Sequence, residues 1–193
     1  MPLGAFKAAL MGTAGVSTAD VVLLSTQTAS SSASITFSSG IDSTYGEYIF
    51  GFYNIHPQTS GADLSFQVNA TDTTSYNEDI TSSAFWAYHM EDNSGAALIY
   101  AADHDQAQGT GYQNIGIDTA ADADHSYNGH MHLFSPASTT YVKHFMSHVL
   151  ACDEVRDQFV AGYINETTAI DDIQFKMNTG NIDAGTIKMW GVK

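Results

Sequence analysis

Four histidines carry the clearest candidate chemistry in this chain. His130 and His132 stand two residues apart, and His144 and His148 four apart, on either side of Ser135–Thr139. Side chains at i and i+2 of a strand point to the same face. If the two flanking runs form a hairpin around Ser135–Thr139, His130 lies opposite His144. His130, His132 and His144 can then approach the tetrahedral arrangement that zinc takes from imidazole nitrogens. The register decides this, because a one-residue slip sends every side chain to the other face. The competing reading makes these histidines polar positions on a solvated or subunit-facing sheet, where protonation near pH ~6 weakens a contact.

Acidic pairs form a second group. Asp103-His104-Asp105 and Asp122-Ala123-Asp124 offer oxygen ligands of the kind calcium takes. The glycine and the late glutamate of a calcium loop are missing, which favours solvated acidic loops. Tyr76, Tyr112 and Tyr127 lie among Asp and Asn and form the candidate surface for stacking on a sugar or a protein partner. Trp86 and Tyr88 lie near the same loops and extend this set, the competing reading being that they are core residues of a central strand. Catalytic patterns are missing. There is no Gly-x-Ser-x-Gly elbow and no phosphate-cradling glycine loop with lysine, and Cys152, the one cysteine, has no family signature around it. The chain is therefore expected not to be an enzyme and to need no cofactor.

The charge balance narrows the partners. Six Lys+Arg face 21 Asp+Glu, a formal charge of −15 over 193 residues. Phosphate contacts need cations, so nucleic acid and anionic membrane are not expected partners. No window reaches the ~20 apolar residues of a membrane span, and the start of the chain lacks the charged-then-apolar pattern of a secretory signal. A protein made in the cytoplasm without that signal leaves by another route, such as lysis.

These residues must be positioned by strands. Residues 1–20 are rich in Ala and Gly, with Phe6, Leu10 and Met11 as anchors, and read as an N-terminal arm docking on a neighbour. From residue 21 to 193, period-2 or short apolar runs recur between Gly, Ser, Asn, Asp and Pro. Examples are Leu64-Phe66-Val68 and Ile173-Phe175-Met177. The pattern predicts one all-β domain: a two-layer antiparallel, jelly-roll-like sandwich. Asn69–Thr81 and Ala101–Asn128 read as long loops, where recognition usually sits. Alternation in the last strand puts Trp190 on the outer face, against the arm, another subunit or its own sheet.

The motifs resemble a β-sandwich module of tail-fibre and virion-associated proteins of tailed phages, especially marine ones. The matching segments are Leu23–Ser30, Ile35-Thr36-Phe37, Gly40-Ile41-Asp42, Asn54-Ile55-His56-Pro57, Leu133–Tyr141, Ala169–Ile182 and Gly185–Lys193. The resemblance implies a virion setting and a homo-oligomer, with a trimer as the favoured form. The expected partners are the major capsid protein or other virion proteins. The expected role is capsid decoration or cement, held by the arm and the sandwich rim. The rivals are a tail-fibre or receptor-binding protein reading host surface glycans, and a free lectin or carbohydrate-active enzyme.

Overall fold

Alternation decides the strands. In Lys143–Ala151 every second residue (Lys143, Phe145, Ser147, Val149, Ala151) is buried, while His144, Met146 and Leu150 are exposed. That is the period of a sheet with one covered face. A computed structural model describes residues 20–152 and 155–193 and contains thirteen strands and no helix among them. They are β1 (Val21–Thr28), β2 (Ile35–Phe37), β3 (Glu47–Pro57), β4 (Ala62–Ala70), β5 (Ile80–His89), β6 (Ala96–Tyr100) and β7 (Ala107–Gly109). β8 (Gln113–Thr119), β9 (Tyr127–Phe134), β10 (Lys143–Ala151), β11 (Val155–Ile164), β12 (Ile170–Met177) and β13 (Ile182–Val192) follow.

The strands make two antiparallel sheets, as the sequence pattern predicted. The large sheet runs β1-β13-β3-β9-β10-β11-β5-β6, with β7 also on β5. The small sheet runs β2-β12-β4-β8. Phe175 on β12 joins the layers, with ring centroids 5.3 Å from both Phe50 and Phe52 on β3 and 6.3 Å from Phe37. Phe66 on β4 meets Phe145 on β10 edge to face at 5.0 Å. These rings, with Tyr48, Leu64, Ile115, Met131 and Ile187, form the interior between the sheets.

Two expectations need correction. Residues 101–128 are not one long loop, because β7 and β8 lie within them and β8 completes the small sheet. Ile115 and Ile117 are its large apolar residues, and both are buried. The loop between β9 and β10 extends through Val142, beyond Thr139. The Ser138 hydroxyl accepts the Thr140 and Tyr141 amides and holds that extension in place. By contrast, Asn178–Asn181 is a tight turn, with Gly180 at φ 70°, and it carries the chain from the small sheet to the large one.

Candidate interaction face

The longer hairpin loop resets the histidines. Opposite His130 stands His148, and opposite Met146 stands His132. His144 lies beyond them, exposed, and packs on Tyr163 at 6.3 Å. The shift is an even number of residues, so all four histidines keep the outer face. His144 is therefore not part of the cluster, and His148 takes its place. His130 meets His132 at 5.1 Å and His148 at 5.8 Å, both edge to face. Nδ1 of His132 is engaged by Glu47, and Nε2 of His148 by Asp157. Burial against the sheet, and then the neighbouring His132 and His148, hold His130 below the usual histidine range, although part of its ring meets solvent. Among the described residues no group of three His, Cys, Asp or Glu side chains is placed to hold a metal ion.

The histidines belong to a larger surface. Antiparallel pairing aligns outward side chains in rows across the strands. One row runs Tyr100, Phe85, Phe159, His148, His130. Phe159 is sandwiched between Phe85 (5.2 Å, planes 13° apart) and His148 (4.1 Å, 12°). The next row runs Ser83, Ala161, Met146, His132. Its small members leave a depression of about 320 Å³ between Phe85, Phe159 and Met146. Of the ten exposed large apolar side chains among the described residues, all but Tyr141 point from this one sheet's outer face. Leu98 is 72% exposed and Met146 50%. On β5, β6, β9, β10 and β11 the outward residues include one carboxylate, Asp157, and no Lys or Arg. A chain of charge −15 thus keeps this five-strand part of the face nearly free of charge. Soluble monomers rarely leave so contiguous an apolar patch open, and such patches mark contact surfaces.

The small sheet's outer face is the reverse. Asp63, Ser65, Gln67 and Asn69 of β4 point outward, yet all are buried. Asp63 accepts from Asn178 Nδ2 (2.9 Å), Asn114 Nδ2 (3.2 Å) and the Asp118 amide (2.8 Å), and His104 Nε2 lies 3.5 Å away. Gln67 donates to the carbonyls of Glu78, Thr110 and Gly111. Residues 71–79 and 101–112 therefore cover this face. Hydrogen bonding to Asp63 raises the His104 pKa; burial opposes the shift, and Asp103 adds to it. Asp103 holds His104, and Asp105 receives the Tyr100 hydroxyl, so this acidic pair points two ways. Asp122 and Asp124 are exposed.

The predicted aromatics divide. Tyr127 is not a ligand-binding residue. It opens β9, is fully buried, donates to the Ala62 carbonyl and accepts from the Thr119 amide; burial drives its pKa strongly upward. The alternation Tyr127-Gly129-Met131-Leu133 carried that signal. Tyr112 donates to Gln174, and Lys176 Nζ sits 4.0 Å from its ring centre. Tyr76 is half-buried, beside Asp172, Asp171 and Tyr112. Trp190 lies on the outer face as expected. It covers Gly51 and meets Tyr53 at 6.4 Å, so its own sheet already engages the ring. Phe6, Leu10 and Met11 lie outside the described residues. The sequence reading missed Phe85, Phe159, Leu98 and Tyr100 as a surface beside the histidines; their shared outward phase was the available signal.

A scan against protein-family models returns no match for this chain, and neither does a search of curated proteins.

Proposed function

We propose that this chain is an assembly protein, a β-sandwich subunit that works by seating its large sheet against other protein surfaces. We further propose that it does so in a tailed-phage particle, as a capsid decoration or cement subunit. The observation that carries the first statement is the segregation just described: exposed apolar side chains gather on the face that carries almost no charge. Electrostatic repulsion between acidic proteins is weakest there, and apolar burial drives association. The virion setting draws its support from the motif resemblance and from the neutral-to-acidic surface, which suits neither nucleic acid nor anionic membrane.

Glycan reading by a tail fibre has less to draw on among the rings that the sequence suggested. Sugar stacking needs a free ring face. Phe159 has both faces taken, Tyr112 carries Lys176, and Tyr127 is core.

Proteomics and single-particle imaging of purified particles from the source test the proposal. Many regularly spaced copies on the head are expected. Absence from the particles overturns the virion setting, and a few copies at the tail tip overturn decoration. Turnover of a glycan by the isolated chain overturns the assembly reading.

A further inference from the structure

We infer that the occupant of this face is the same face of a second copy, related by a two-fold axis that runs parallel to the strands over Phe159. The inference rests on reading the face as a contact surface, and it is independent of the particle served.

The face is self-complementary, as an isologous contact requires and a foreign partner does not. β11 is the middle of the five strands β9-β10-β11-β5-β6. A two-fold axis along it lays β5 on the partner's β10 and β6 on the partner's β9. In the aromatic row, Phe159 then meets its own copy, Phe85 faces an imidazole from His148, and Tyr100 faces one from His130. In the next row, the protruding Met146 falls over the hollow at Ser83. In the row on the other side, exposed Leu150 falls over Ala87. Large side chains thus oppose small ones, and rings oppose rings.

Charge permits the approach. Apart from the histidines, the five strands themselves carry one carboxylate, Asp157, held by the His148 of its own copy, while Glu47 on His132 and Asp105 on the Tyr100 hydroxyl border the same rows. Area permits it too. Five strands at ~4.8 Å and four rows at ~6.8 Å give a rectangle of about 24 by 27 Å, hence roughly 1,300 Å² over two copies. That falls within the standard range for specific complexes, about 1,200–2,000 Å². The two-fold contact differs from the trimer that the sequence suggested.

Sedimentation velocity on the full chain across a concentration series tests this, with circular dichroism and thermal melts confirming that each variant folds. A dimer is expected. Tyr100→Asp, at an exposed position, and Phe159→Asp are each expected to raise the dissociation constant at least about tenfold, as loss of a central anchor does. The axis brings the two Asp157 carboxylates toward each other, so Asp157→Asn is expected to tighten the pair. Oxidation gives the most direct reading. In a Cys152→Ser background, Phe159→Cys is expected to cross-link two copies, and Leu23→Cys, on the same face but far from the axis, is not.

A wild-type monomer at ~100 μM overturns the inference, as does a trimer. A dimer indifferent to both Tyr100→Asp and Phe159→Asp overturns it as well. If deleting residues 2–19 turns a monomer into a dimer, the occupant is the chain's own N-terminal segment and the inference fails. If the chain stays monomeric but is found on particles, the inference fails while the assembly reading stands.

Discussion

The two outer faces of this sandwich are finished in opposite ways. The small sheet's face is polar and is closed by the chain itself, through segments 71–79 and 101–112. The large sheet's face is apolar and is left open. The contrast follows from what each kind of surface needs. A buried Asp63 or Gln67 must find donors or acceptors at defined distances, and only groups built into the same fold can be placed that reliably. An apolar face needs only area removed from water, which another molecule can supply. Closing the polar face from within therefore fixes the fold, and leaving the apolar face open equips the molecule for contact.

Substitutions at the two faces sharpen the contrast. The largest expected effect lies between them. Phe175→Ala removes the ring that Phe37, Phe50, Phe52 and Phe66 surround, and is expected to cost about 3–5 kcal/mol in urea denaturation. On the closed face, Asp63→Ala leaves two amide groups, the Asp118 N–H and His104 without their shared acceptor, at an expected cost of about 3 kcal/mol. On the open face, Phe85→Ser is expected to shift stability by less than about 1 kcal/mol while weakening any self-association. Equal costs for Asp63→Ala and Phe85→Ser would mean that the open face supports the fold as much as the closed one does, and the contrast would fail.

Much of the sandwich was legible because alternation records burial directly. Leu64-Phe66-Val68 and Ile173-Phe175-Met177 face the core as their spacing requires. The same rule misled at β4. Asp63, Ser65, Gln67 and Asn69 look like a wet face, and nothing local shows that distant loops will cover them. β8 was hidden because only Ile115 and Ile117 stand out among Gln, Asn, Gly and Asp. The histidine cluster was half legible. Phase gave the face, but loop length sets which residues pair, and the Ser138 hydroxyl bonds that extend the loop are not a pattern of spacing. The aromatic row was illegible for a related reason. It joins two separate stretches of the chain, 80–100 and 127–164, through the β5–β11 pairing, so only the pairing register assembles it.

The smallest expected effect asks the two faces to answer pH in opposite senses. On the closed face, Asp63 raises the His104 pKa above its unfolded value of about 6.5. The folded state then holds a proton that the unfolded chain would release. The stability this contributes is complete below about pH 6.5 and is lost as pH rises through the folded value. On the open face, His130 is lowered by burial and by His132 and His148. Its unfolded form binds the proton more readily, so its contribution is complete above about pH 6.5 and is lost as pH falls toward the folded value. Melting temperatures across pH 5–9 at constant ionic strength separate the two. His104→Gln is expected to flatten the loss on the alkaline side, and His130→Gln the loss on the acid side. Should His130→Gln instead act on the alkaline side, the open face would hold its histidine charged, and the uncharged surface on which its contact role depends would not exist.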